Sequence, residues 1–350
     1  LRGNWAPLGE EKELYDLKVD GSIPTELDGI YVRTGPNPKD GKGSHWFLGD
    51  GMVHGIRLKK GKAEWYRNRF VQTPDITEPL KDPMAGLGDL RRGKGNTHVV
   101  AHNEQIMCLE EAHWPWTINA DLETTGVLNY EGKLDCSMTA HPKVCPITGE
   151  LLAFSYFSFE QPYLKYIRVS ADGKLQQVEG IELPEMVMMH DFNITRNFVI
   201  FMDLPLALDL ELLSTGIPFR FKRDKEARLG VLPRNGNSSE IRWFQIDPCY
   251  VFHQVNSWEE HNKIILIVSR QDSAFGEGSG DYSNVGRLYK WVIDMDRGTV
   301  SEEAIDNRAG DFGRVNDSFV GLQSKYGYLM SLDGEGNSEE PVYGPHLYKY

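Results

Sequence analysis

Turns punctuate this chain so often that few folds are open to it. Short apolar or alternating runs recur, separated by Gly, Asp and Lys in the combinations that close hairpins. "GIRLKKGKAEWYRNRF" (55–70) reads as strand, Lys-Gly turn, strand. "YLKYIRVSADGKLQQVEGIEL" (163–183) repeats the pattern around Asp172-Gly173, and "RLYKWVIDMDRGTVSEEAI" (287–305) around Gly298. "FVIFMDL" (198–204) and "KIILIVS" (263–269) read as buried strands. Helical periodicity is scarce. The pattern implies an all-β sandwich or propeller, and this many hairpins over 350 residues favours a propeller, expected as one domain over 1–350. No repeat of the WD40 kind marks the blades. "DLPLALDLELLSTGIPF" (203–219) reads as a core strand with Leu204, Leu206, Leu208, Leu210 and Leu212 on one face. The sharper alternative is an exposed apolar patch that meets a bilayer or a lipophilic ligand.

Charge narrows the partners. The formal net charge is −13, which disfavours nucleic acid because its phosphates would be repelled. Cys108, Cys136, Cys145 and Cys249 form no CxxC pair and no zinc spacing, so reduced thiols in a cytoplasmic protein are expected. The first residues contain no apolar targeting segment, and "IILIV" (264–268) is too short to span a bilayer. Any membrane contact is expected to be peripheral. GxSxG elbows, P-loops and EF-hand loops are missing from the sequence. "DSAFGEGSGDYSN" (272–284) reads as a surface loop.

Three of the ten histidines share a setting. His141 stands in "TAHPKVCPITGEL", His190 closes "VMMHDF", and His253 follows Tyr250, Val251 and Phe252. Each is the polar end of an apolar or small-residue stretch. They lie 49 and 63 residues apart, about the length of a propeller blade with its loops. One imidazole per blade would converge on the propeller axis and suit a borderline metal such as iron, copper or zinc. Taken alone, a histidine in such a stretch is more often a satisfied core residue than a ligand. His98 and His102 read as structural, His45 and His54 as loop residues among glycines, and His113, His261 and His346 carry no signal.

The phrases "YVRTGPNP", "HWFLGDGMVHGIRLKKGKAEWYRNRFVQT", "TAHPK", "MMHDFNITRNFVIFMDLP" and "FHQVNSWEE" together resemble the carotenoid cleavage oxygenase family, from about Trp5 to the chain end. The resemblance implies a seven-bladed β-propeller capped by loops and short helices. It implies a ferrous ion, Fe(2+), held on the axis by four histidines, three of them His141, His190 and His253. The implied reaction splits a carbon–carbon double bond of a carotenoid, apocarotenoid or stilbene with O2, leaving two carbonyl products.

The same resemblance assigns further roles. Family glutamates hold the ligating histidines from behind. Glu111, in "CLEEAHWPW", matches one of them, with Glu110 as the adjacent alternative. A second is expected before a PRxN-like stretch. Here "GDFGRVND" puts Asp311 in its place, one methylene shorter, so either the backbone moves closer or a water bridges the gap. Thr97 matches a threonine near the open coordination positions. Phe252, and with it Met188 and Trp114, is expected to line the tunnel of a lipophilic polyene, which can be bound only by burial along apolar walls. The fourth family histidine belongs to a last-blade motif that His346 does not match, so the fourth ligand is expected beyond residue 350 and the chain to be C-terminally incomplete. Stilbene cleavers of the family tend to carry a lysine just before the shell glutamate. Glu110 stands there instead and favours a polyene. The remaining alternatives are a propeller that binds a ligand without redox chemistry and a calcium- or zinc-dependent hydrolase, the latter disfavoured because calcium prefers oxygen donors.

Overall fold

A computed structural model describes residues 6–41, 47–215, 217–275, 284–332 and 344–350. His45 and most of the 272–284 loop lie outside the described residues. Among the described residues all strand pairs are antiparallel, and helix is confined to one four-residue turn, Pro74–Thr77, and short 3₁₀ pieces. The hairpin reading holds in detail. Gly51–Lys59 turns into Lys62–Phe70 through Lys60 and Gly61, both at positive φ (47° and 78°), the twist that two-residue hairpins need. Leu164–Val169 turns into Leu175–Ile181 at Gly173, and Arg287–Asp294 into Thr299–Arg314 at Gly298.

The chain groups into two compact units, residues 1–140 with 172–175, and 141–171 with 176–350. The first holds two four-stranded sheets. One runs Glu13–Tyr15, Lys62–Phe70, Gly51–Lys59, Asp28–Pro36, and the other His98–His102, Gln105–Leu109, Trp116–Ile118, Thr124–Val127. Their core includes Val53, Val71, Cys108, Ile118 and Leu122. His54 corrects the loop expectation: it lies inside strand Gly51–Lys59, buried, with Nδ1 2.8 Å from the Tyr66 hydroxyl. Residues 51–55 of the strand are all buried, so His54 is covered whichever face it points to, which its glycine neighbours disguised.

Burial, and secondarily the charge of Arg33, push the His54 pKa down to about 4. An unfolded chain takes up this proton near pH 6.5, whereas the folded chain refuses it until about pH 4. Stability is therefore full above pH 6.5 and is lost as the pH falls. His54 should cost roughly 2 kcal/mol of stability on going to pH 5. Denaturant melts at the two pH values check this, and His54→Gln should flatten the difference.

The second unit holds a four-stranded sheet ordered Leu175–Ile181, Leu164–Val169, Leu151–Ser155, Lys143–Val144. A second runs Asn193–Ile194, Phe198–Asp203, Ala227–Pro233, Arg242–Ile246. A six-stranded sheet runs in sequence order from Tyr250–Glu260 to Leu347–Lys349. Within it the 16-residue strand Thr299–Arg314 serves twice: its first part pairs with Arg287–Asp294 and its last part with Tyr328–Ser331. The core is aromatic. Phe192 stacks on Phe201 with centroids 6.1 Å apart and meets Phe154 edge-on at 5.0 Å, all three fully buried. The leucine run 204–212 is not one strand. Leu204 and Leu206 are buried, but the strand Leu206–Leu208 gives way to the 3₁₀ helix Leu210–Thr215, and Leu210 is 64% exposed. The four cysteines are all free and buried.

Candidate metal centre

In the second unit each of three sheets begins with an edge strand, and each of these strands brings in one histidine. His141 lies two residues before Lys143–Val144, His190 three before Asn193–Ile194, and His253 within Tyr250–Glu260. The run before His190 enters the core as its composition demands: Met186, Val187 and Met189 are buried. His253 sits at a bulge, because the pairing with Lys263–Gln271 shifts register between Val251 and Gln254. An extra residue at that point re-aims the side chain.

The three imidazoles meet at their Nε2 atoms. His190 Nε2 lies 3.0 Å from that of His141 and 3.2 Å from that of His253. Ring centroids are 4.5–5.1 Å apart, and the planes are steeply inclined to one another, at 59–83°. A neutral imidazole carries one hydrogen, so a hydrogen on His190 Nε2 could face only one of its two neighbours. Facing lone pairs at such distances call for a cation between them. A metal about 2.1 Å from two nitrogens 3.0–3.2 Å apart would see them at roughly 90–100°. Among the described residues this is the one group of three or more His, Cys, Asp or Glu side chains placed to hold a metal ion. An all-imidazole donor set suits a borderline transition metal.

Behind the nitrogens stands a carboxylate. Asp311, buried at 6% exposure, places Oδ2 3.2 Å from His253 Nδ1. The N–H is poorly aligned with it, so this is a charge contact more than a full hydrogen bond. It nonetheless favours the hydrogen on Nδ1 and leaves the Nε2 lone pair for the cluster. The backbone comes close here. A Cβ on Gly313 would fall 2.8 Å from the Gln254 carbonyl oxygen, so only glycine lets the two strands approach like this. Phe312 is held at φ 58°, a left-handed backbone unusual for a phenylalanine, and its ring lies against His253 with centroids 4.6 Å apart. Asp311 Oδ1 accepts from the Phe312 N–H at 2.7 Å.

Phe252 packs edge-on against His190 at 5.7 Å and touches Tyr250 and Phe275. Met188, half-buried, accepts at its carbonyl from the Tyr250 hydroxyl. Thr97, Glu111 and Trp114 belong to the first unit. Thr97 is exposed, just ahead of strand His98–His102, and its hydroxyl donates to Asn96 Oδ1 at 3.0 Å. Glu111 is half-buried, and the indole N–H of Trp114 finds no acceptor among the described residues. Glu110 and His113 form a close pair, and the Glu110 charge raises the His113 pKa against the opposing effect of burial. The sequence offered no sign of this pairing beyond its i, i+3 spacing.

Sequence reasoning also passed over Asp191, although it directly follows His190. It is 2% exposed and ion-paired to Lys143 at 2.6 Å. An acid at the end of so apolar a run had to be paired, and that was the available signal.

Comparison with known proteins agrees with this architecture. The family model described as retinal pigment epithelial membrane protein matches residues 5–349. The carotenoid 9,10(9',10')-cleavage dioxygenase 1 of Pisum sativum is 37% identical over 379 aligned residues, covering 95% of this chain and 69% of that protein. A carotenoid cleavage oxygenase of Mycobacterium tuberculosis is 33% identical and covers 95% and 77%. The lignostilbene dioxygenase of Pseudomonas brassicacearum superposes with a TM-score of 0.83 at 28% identity, over 95% of this chain and 76% of that one. A variant of the Synechocystis apocarotenoid oxygenase, at 24% identity, shares the fold with a TM-score of 0.82 over 99% and 80%. The all-β propeller class read from the hairpins is thereby borne out. The family model and the curated relatives show that the chain belongs to the retinal pigment epithelial membrane protein family, that of the carotenoid cleavage oxygenases.

Proposed function

We propose that this chain is a non-heme Fe(2+) dioxygenase that cleaves a carbon–carbon double bond of a carotenoid or apocarotenoid. One C=C bond is broken, and the two atoms of O2 end on its two carbons as aldehydes. The observation that carries this reading is the meeting of three Nε2 atoms from three edge strands at 3.0 and 3.2 Å. His141, His190 and His253 would hold the ion. Bound there, Fe(2+) would supply a redox-active centre for O2 chemistry.

The remaining residues have simpler tasks. Asp311 orients His253 from behind. Phe252 and Met188 offer apolar surface beside His190, and a polyene gains affinity only by burying its own apolar surface against such walls. Thr97, Glu111 and Trp114 keep the roles that family resemblance gives them: limiting the open positions, backing a histidine and lining the substrate path. Seven blades are likewise carried over from that resemblance. Peripheral contact with a membrane suits a substrate that partitions into lipid, and Leu210 and Leu213 are exposed apolar side chains of the kind it would use. No helix of the described residues is long and apolar enough to cross a bilayer.

A stilbenoid substrate is the second reading, favoured by the likeness to a lignostilbene dioxygenase. Against it, the position before Glu111 holds Glu110, already paired with His113, where stilbene cleavers of the family tend to carry a lysine that engages the phenol. The test combines metal analysis with a substrate panel. About one iron per molecule of the full-length protein is expected, with aldehydes released from carotenes or apocarotenals under O2. No aldehyde released from any polyene, with turnover of a hydroxystilbene instead, would establish the second reading. Absence of bound iron under reducing, anaerobic loading would remove both.

A further inference from the structure

We propose that Asp191 is the positioning residue of the whole histidine cluster, a single buried carboxylate that ties together the three segments carrying the imidazoles. Its Oδ1 accepts from Lys143 Nζ at 2.6 Å and from the Phe192 N–H at 2.8 Å, and its Oδ2 accepts from the Gln254 N–H at 3.2 Å. Lys143 stands two residues after His141, Asp191 itself directly after His190, and Gln254 directly after His253. Asp191 is 2% exposed, and the Lys143 side chain only 13%, so water competes little for these bonds.

The consequence is geometric. The edge strands belong to three different sheets, and adjacent sheets can slide against one another by small amounts. The nitrogens must nevertheless stay near 3 Å apart to share one ion. A charged acceptor gripping the backbone amides beside His190 and His253, and the lysine beside His141, converts three independent placements into one. Asp311, by contrast, places its carboxylate against His253 and its own neighbour's amide, the Phe312 N–H. The inference rests on the reading of the cluster as a metal centre.

The experiment compares Asp191→Asn with the wild type and with Asp203→Asn, loaded with Co(II) in solution. Asp203 is an equally buried acid, 1% exposed, and it is bonded to Lys225 at 3.0 Å and Arg228 at 2.8 Å, residues outside the three histidine-bearing segments. Both variants should lower the melting temperature of the metal-free protein. Only Asp191→Asn should weaken Co(II) binding, by about 10–100-fold, and alter the d–d absorption spectrum. The double variant Asp191→Asn/Lys143→Met, which removes the uncompensated buried charge, should recover melting temperature without recovering affinity. Asp191→Asn binding Co(II) as the wild type does, or equal losses in the two single variants, would overturn the inference alone. A wild type with no Co(II) affinity would overturn the metal reading and this inference with it.

Discussion

Replacing His190 with Ala is expected to abolish both metal binding and cleavage while leaving a folded protein. His190 is the middle member of the cluster: its Nε2 is the one near both others, at 3.0 and 3.2 Å. Without it, His141 and His253 remain as two donors with nothing between them. Loss of the ion removes several kcal/mol of transition-state stabilisation, a rate decrease of about 10³-fold or more. The cost in stability should be small, about 1 kcal/mol, because the imidazole is only half-buried and its main apolar contact is one edge of Phe252. Metal content, aldehyde yield and a circular-dichroism melt measure the three quantities separately. Iron and turnover surviving in a folded His190→Ala protein would show that the cluster is not the centre of the chemistry.

Phe192→Ala should be the most damaging single change to the fold near the site. The ring is fully buried between Phe201 and Phe154, and truncating a phenylalanine in such a core costs about 3–5 kcal/mol. That is a large part of the total stability of an ordinary domain. Its backbone N–H also donates to Asp191, so the damage lies two residues from His190. Urea denaturation of the metal-free protein gives the number directly. A cost under about 1 kcal/mol would mean the three rings do not pack as described.

Much of this was legible in the primary structure because it is local. A Lys-Gly or Asp-Gly turn acts on its own neighbours, so the hairpins at Gly61, Gly173 and Gly298 could be placed from the sequence. The three histidines stood out because an apolar run that ends in an imidazole has to satisfy it indoors. What escaped notice depends on distant partners. The bond between Lys143 and Asp191 joins positions 48 apart, and that between Asp191 and Gln254 positions 63 apart. His54 was masked by nearby glycines, although residues 51–55 of the strand are buried throughout. The close approach at Gly313, which lets the short Asp311 reach His253, depends on the facing strand and leaves no local trace. The leucines from 204 to 212 alternate in sequence, but the backbone leaves the strand after Leu208 and the pattern loses its meaning there.

The strand Thr299–Arg314 has a mechanical consequence. Because one unbroken backbone pairs with Arg287–Asp294 along its first part and with Tyr328–Ser331 along its last, the two halves of the six-stranded sheet are coupled in melting. Asp311 sits in the portion where the second pairing begins. Opening of the pairing between Tyr328–Ser331 and Leu347–Lys349 would therefore travel toward the carboxylate behind His253 before it reached any other part of the cluster.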